Sequence, residues 1–124
     1  LYSDKHRLHG VVDEVHFLVD STAAILDYKF AEYKGVIWDT LKYQAVLYST
    51  LVEDTYNVKC RKAFICYTRS QNKTVELKIE PEDYNRLFEF CDEIEYIIDR
   101  GFFPDVMVNE NKCSDCTYRN ICPK

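Results

Sequence analysis

Three groups of side chains in this sequence have the types and spacing to do chemistry. Asp27 and Lys29 stand two apart in Leu26-Asp27-Tyr28-Lys29. On an extended strand, residues two apart project from the same face. Asp13 lies within Val-Val-Asp-Glu-Val, and Asp13 and Asp27 are equally spaced about Asp20, a turn former. Hairpin pairing would set the two carboxylates opposite each other, with Cβ atoms roughly 4.5–5.5 Å apart. Carboxylates that close repel unless a cation lies between them, and oxygen donors suit a hard divalent ion such as Mg²⁺ or Mn²⁺. A lysine beside the ion can orient a water or stabilise charge developing on a phosphate. Two acids and one ammonium on one hairpin face are thus the parts for phosphodiester hydrolysis. The plainer reading is an Asp-x-Lys pair that only hydrates a sheet edge. Against it, both acids interrupt largely apolar runs, where a charge is usually paired or bound to metal.

Gln44 and Tyr48 are four apart on an expected helix and so share a face. Each can donate and accept a hydrogen bond. Together they could fix a water or a substrate phosphate, although such a pair is also ordinary helix decoration. The third group is Cys113, Cys116 and Cys122, a C-x₂-C-x₅-C run followed by Pro123. Thiolates at this spacing suit zinc or an iron–sulfur cluster, and both usually want four ligands. Spacing alone leaves the choice between zinc and cluster open. Cys60, Cys66 and Cys91 sit among apolar residues and are expected in the core. Three cysteines buried and three crowded into the tail argue against a secreted disulfide framework.

These groups need elements to position them. Residues 8–19 and 22–31 read as two strands of a hairpin, turning at Asp20 and Ser21. Trp38, Leu41, Ala45, Tyr48 and Val52 give residues 38–53 helical spacing. Residues 59–68 and 73–79 read as a second hairpin around 69–72. Residues 82–100 form the clearest helix, with Pro81 before it and Gly101 as its C-cap. Its expected buried stripe is Leu87, Cys91, Ile94 and Ile98, with Tyr84 and Phe88 beside it. The tail from Asp105 reads as irregular. The order β-β-α-β-β-α predicts a mixed α/β fold, a central mixed sheet flanked by helices.

The chain has 124 residues, which suits one hydrophobic core. Net charge is −5, so no global basic excess advertises nucleic acid. The acidic stretch from Glu80 to Asp99 reads as a solvated helix face. No apolar run approaches the roughly 18 residues that span a bilayer, so a cytoplasmic protein without a membrane partner is expected.

Taken in order, Gly10-Val-Val-Asp13, Leu26-Asp27-Tyr28-Lys29, Gln44-Ala-Val-Leu-Tyr48 and the run from Cys113 to Cys122 resemble a known family. It is the CRISPR-associated RecB-like exonucleases with an iron–sulfur cluster (the Cas-four group), within the PD-(D/E)xK nuclease superfamily. The resemblance implies a restriction-endonuclease-like core over 1–104 and a cluster-binding tail over 105–124. It implies that Asp13, Asp27 and the Tyr28 carbonyl hold Mg²⁺ or Mn²⁺, and that Lys29 positions or activates the attacking water. Gln44 and Tyr48 would lie beside the active site and the DNA. Cys113, Cys116 and Cys122 would be three of four ligands to a 4Fe–4S cluster. The expected substrate is single-stranded DNA or DNA ends, cut 5′ to 3′. The expected setting is CRISPR adaptation, with an integrase complex as partner. The sequence departs from the family pattern at Asp27, where many relatives carry Glu. It also lacks the N-terminal helical segment that would supply a fourth cysteine, and neither His6 nor His9 is assigned that part. Two other readings stand beside this one. One is a repair nuclease or helicase–nuclease domain of the same superfamily, and the other is a non-catalytic binding module stabilised by zinc or a cluster.

Overall fold

The computed structural model describes residues 1–105 and 109–123. Contacts divide the chain into two compact units, Leu1–Glu93 and Ile94–Lys124. In the first, strands β3 (Glu14–Phe17), β4 (Thr22–Lys29), β5 (Lys59–Tyr67) and β6 (Lys73–Lys78) form a sheet in the order β3-β4-β5-β6. β3 pairs antiparallel with β4, β4 parallel with β5, and β5 antiparallel with β6. Helix α1 (Asp39–Tyr56) makes the crossover between β4 and β5 and packs on both. The expected mixed sheet flanked by helices is therefore borne out. A two-stranded ribbon, β1 (Tyr2–Ser3) with β2 (Leu8–His9), precedes it.

The first expected strand, 8–19, is two pieces. Leu8 and His9 pair with β1, residues 10–13 carry no strand, and pairing with β4 begins at Glu14. Alternation of apolar residues gives a strand period but does not say which partner each stretch takes. β4 follows the expectation closely. Ala23, Ala24 and Ile25 are buried on both faces, as a strand with neighbours on each side requires. β5 carries a bulge opposite Ala23 and Ala24, which pair with Cys60 and Lys62 and leave Arg61 as the extra residue.

The core joins Ala23 and Ile25 of β4, Ala45, Val46 and Val52 of α1, and Cys60 and Ala63 of β5. Two polar residues share the buried face of α1. The Ser49 and Thr50 hydroxyls donate to the carbonyls of Ala45 and Val46, one turn back, so neither is left unpaired. Cys60 and Cys66 are buried, as expected of core thiols.

Helix α2 (Pro81–Arg100) begins at the residue whose ring suits a first turn. Asp83 accepts from the Glu80 N–H at 3.0 Å, the returning half of a capping box. Its other oxygen takes Lys42 Nζ of α1 at 2.6 Å, tying the two helices. At the far end, Gly101 adopts φ 63° and donates to Ile97. Leu87 is buried, and Tyr84, Phe88 and Cys91 are partly so. Ile94 and Ile98 of the expected stripe are exposed. They fall in the second unit, whose regular structure among the described residues is the end of α2 and the short helix α3 (Glu110–Ser114). Within this unit Tyr96 meets Phe102 edge-on, and Asn109 caps α3. The tail expected to be irregular thus holds, among its described residues, the helix α3.

Candidate active site

β4 delivers the central pair. Ile25, Asp27 and Lys29 share the face covered by α1 because they alternate along one strand. Asp27 follows Ile25 at the margin of the core and is only 7% exposed. A carboxylate so placed needs a cation or several donors. Lys29 Nζ lies 2.7 Å from Asp27 Oδ2. The same ammonium donates to Gln44 Oε1 at 2.7 Å, and Gln44 Nε2 donates to the Tyr48 hydroxyl at 3.1 Å. Asp27, Lys29, Gln44 and Tyr48 therefore form one continuous polar chain from strand to helix. The sequence placed Gln44 and Tyr48 on one helix face. The structure adds that this face looks onto Lys29.

Asp13 reaches the site differently. It is exposed and lies one residue ahead of β3. Extending the pairing of Glu14 with Leu26 by one residue sets it opposite Asp27. Its Oδ2 accepts the backbone N–H of Tyr28, the residue between Asp27 and Lys29, at 2.8 Å. On the opposite face of the sheet, the Tyr28 hydroxyl donates to Glu14 Oε1, and His16 Nε2 lies 2.8 Å from Glu14 Oε2. The Tyr28 bond and the His16 bond hold the Glu14 carboxyl below its ordinary value. Glu14 in turn pushes the Tyr28 phenol up. This Glu14–Tyr28–His16 group escaped the sequence reading, and its signal is the same alternation that placed Asp27 and Lys29 together.

Gly10 supports the site from below. A Cβ there would stand 3.1 Å from Tyr48 Cε1 and 3.1 Å from Leu51 Cδ1. The backbone at position 10 is ordinary, so the constraint is space. Gly10 is also clamped by reciprocal backbone bonds with Leu1. Tyr48 thus packs against a residue with no side chain.

The donor set fits a hard divalent cation. Asp13, Asp27 and the Tyr28 carbonyl are all oxygen donors. Mg²⁺ usually takes one or two carboxylates and completes its sphere with waters and substrate phosphates. The buried Asp27 carboxylate is an oxygen donor for it, shared with the Lys29 ammonium. The thiols compare less well with a cluster site. Cys113 and Cys116 are exposed and Cys122 is half-buried, all three as free thiols on α3 and the turns after it. Among the described residues, no three His, Cys, Asp or Glu side chains gather closely enough to hold an ion. The trio as folded here does not form a ligand cage.

A cavity of about 690 Å³ opens at the other end of β5, between Lys59, Cys60, Tyr84 and Phe88. Two of its carboxylates, Glu53 and Asp54, are already engaged. Glu53 accepts from the Cys60 N–H, and Asp54 from the Ser3 hydroxyl. Burial and the neighbouring Glu53 push the Tyr84 phenol far up, and its hydroxyl donates to the Cys60 carbonyl. Those groups hold α1, α2 and β5 together.

The mixed sheet with its β4–α1–β5 crossover, carrying a buried acid and a lysine two residues on, defines a class. The model of the PD-(D/E)XK nuclease superfamily matches residues 2–123, and the chain belongs to that superfamily. The chain is 30% identical over 120 residues to the CRISPR-associated exonuclease Cas4 of Francisella tularensis subsp. novicida (strain U112). The match covers 97% of this chain and 58% of that protein, so the chain spans somewhat under two thirds of its relative's length. The resemblance drawn from the four motifs is borne out. Among the described residues no helix is long and apolar enough to cross a membrane.

Proposed function

We propose that this chain is a divalent-metal-dependent DNA exonuclease that cuts single-stranded DNA or DNA ends by phosphodiester hydrolysis. The observation that carries this is the position of the Lys29 ammonium, held at once by Asp27 and Gln44. An ammonium has three donors. Two are fixed by those partners, and the third, without a partner among the described residues, would hold the attacking water or a non-bridging phosphate oxygen. Tyr48 receives its hydrogen bond from Gln44 and keeps its own proton to donate to substrate. Asp13, Asp27 and the Tyr28 carbonyl would hold Mg²⁺ or Mn²⁺. Bound there, such an ion supplies a more acidic water and polarises the phosphoryl oxygen.

The relative's name, a CRISPR-associated exonuclease, supports a CRISPR setting; from the motif resemblance the proposal extends to adaptation, with trimming of DNA for an integrase complex and 5′-to-3′ polarity. The division into a nuclease core, 1–104, and a cluster-binding tail, 105–124, is part of the same proposal. The spacing of Cys113, Cys116 and Cys122 supports ligation of a 4Fe–4S cluster with a fourth ligand from outside the trio. Anaerobically prepared protein would then absorb in the visible, and Cys116→Ser would bleach it. For the nuclease, the test is end-labelled single-stranded DNA with Mn²⁺, the parent beside Lys29→Ala. Degradation by the parent, absent in EDTA and at least a hundredfold slower in the variant, is expected. Equal degradation by both proteins refutes the assigned site.

A further inference from the structure

Residues 30–38 connect β4 to α1, and they begin at the residue after Lys29. This segment exposes large apolar rings: Phe30 is 87% and Trp38 63% exposed. It is nevertheless pinned. The Thr68 hydroxyl donates to the Lys29 carbonyl at 3.1 Å. The Arg69 N–H donates to the Ala31 carbonyl at 3.2 Å, and the Tyr33 N–H to the Ser70 hydroxyl at 2.8 Å. The rings therefore stand on a braced backbone tied to the end of β5. Between them lies a cavity of about 400 Å³, lined by Phe30, Lys34, Trp38, Tyr67 and Arg69 among others.

The lining sets three rings (Phe30, Trp38, Tyr67) and two cations (Lys34, Arg69) beside one carboxylate, Glu32, and an aliphatic floor, and the Arg69 guanidinium lies 5.7 Å from the centre of the Phe30 ring. Its present acidic partner, Glu32, is 3.5 Å away, and both side chains are more than half exposed. Such a pair is weak and yields to a phosphate. Tyr67, on the cavity wall and only 3% exposed, has a buried hydroxyl with no partner among the described residues. Parallel pairing sets Tyr67 beside Lys29. A buried hydroxyl without a protein partner is uncommon, and here it leaves a hydrogen-bonding group at the cavity wall for a water or a ligand.

We infer that this groove is a single-strand DNA subsite, in which a base stacks on Phe30 or Trp38 while Arg69 and Lys34 hold the adjoining phosphate. The inference rests on the nuclease reading and places the nucleotide next to the cut. Base–aromatic stacking tolerates any sequence because every base has a π face, and it needs the base unpaired. A duplex keeps its faces stacked inside. The groove thus selects frayed or single-stranded ends and lets the strand advance without regard to sequence.

Trp38 is the only tryptophan in the chain, so its emission reports on the groove alone. The full chain in EDTA is titrated with oligodeoxythymidylate and with a blunt duplex of equal length. We expect saturable quenching by the single strand, at least tenfold weaker binding of the duplex, and about tenfold weaker single-strand binding by Phe30→Ala and by Arg69→Ala. Phe30→Tyr should restore binding. Both positions are exposed, and unchanged far-ultraviolet circular dichroism verifies the fold. No quenching, equal binding of duplex, or unchanged affinity in both alanine variants overturns the inference. Binding by the parent and cleavage by Lys29→Ala separate the two claims. If single-strand DNA quenches the parent and binds the two alanine variants more weakly, the groove stands even should Lys29→Ala cut like the parent and the assigned active site fall.

Discussion

Replacing Lys29 by Met keeps the length of the side chain and removes its charge, and the structure says what must follow. Asp27 lies at the margin of the core with the Lys29 ammonium 2.7 Å away. Removing one partner of a fully buried pair costs about 3–5 kcal/mol, because the other charge stays behind. The Lys29 side chain is partly solvated, which lowers the expected loss to about 2–3 kcal/mol in EDTA. For a chain of this size that corresponds to roughly 8–12 °C in melting temperature. The loss has two remedies. Asp27→Asn in the same chain removes the stranded charge, so the double variant should be more stable than Lys29→Met alone, by about 1–2 kcal/mol. Millimolar Mn²⁺ should also raise the melting temperature of Lys29→Met, and by more than it raises the parent, because the cation no longer competes with an ammonium. The measurement is urea unfolding followed by circular dichroism, for parent, both single variants and the double, with EDTA and with Mn²⁺. Stability of Lys29→Met within about 0.5 kcal/mol of the parent in EDTA would refute the reasoning. So would a double variant no more stable than Lys29→Met.

Other perturbations follow from the same geometry. Gly10→Ala puts a methyl 3.1 Å from Tyr48 and Leu51; overpacking should cost about 1–2 kcal/mol and slow cleavage about tenfold by shifting Tyr48 from Gln44, as read by parallel melting and single-turnover rates. Tyr48→Phe, which leaves the Gln44 amide without its acceptor, should lower the cleavage rate roughly tenfold or more while changing stability by less than about 1 kcal/mol, and unaltered kinetics would remove Tyr48 from the site. Asp83→Asn should destabilise the chain by about 1–2 kcal/mol at neutral pH, with a pH dependence of known sign. Burial pushes the Asp83 carboxyl up, but the Lys42 ammonium and the Glu80 N–H outweigh it and hold it below 3.8. The stability it contributes is present above that value and lost as pH falls through the lowered one. The Asp83 bond holds Lys42 above 10.5, so its share is lost only as pH rises through that higher value. Parent and variant should therefore converge in acid and differ most between about pH 5 and 9.

What the sequence could reveal of this site follows from how local each relation is. Asp27 and Lys29 share a face because of strand period alone, and Gln44 and Tyr48 because of helix period alone; both relations survive any tertiary arrangement. The bond from Lys29 to Gln44 is different in kind. It depends on how α1 lies across β4, which is set by Ala23, Ala45 and Val46 packing closely at the crossover, and no periodicity encodes that contact. Asp13 shows the limit from the other side. The symmetry about Asp20 predicts its register, and the pairing of β3 with β4 keeps that register. Its exposure, however, depends on the chain leaving one sheet for another between Gly10 and Asp13. The groove beside Lys29 was illegible for a third reason. Phe30 and Trp38 look like core residues, and only the bracing of their loop by Thr68, Arg69 and Ser70 shows why they are held outside. That bracing has an energetic consequence. Apolar rings kept in water cost the folded chain the stabilisation that burying them would give, about 1.5–3 kcal/mol for a side chain of this size. A fold that spends interactions on holding rings outward beside its polar chain has traded stability for a preformed surface, and preformed surfaces at reacting groups are what positioning a substrate requires.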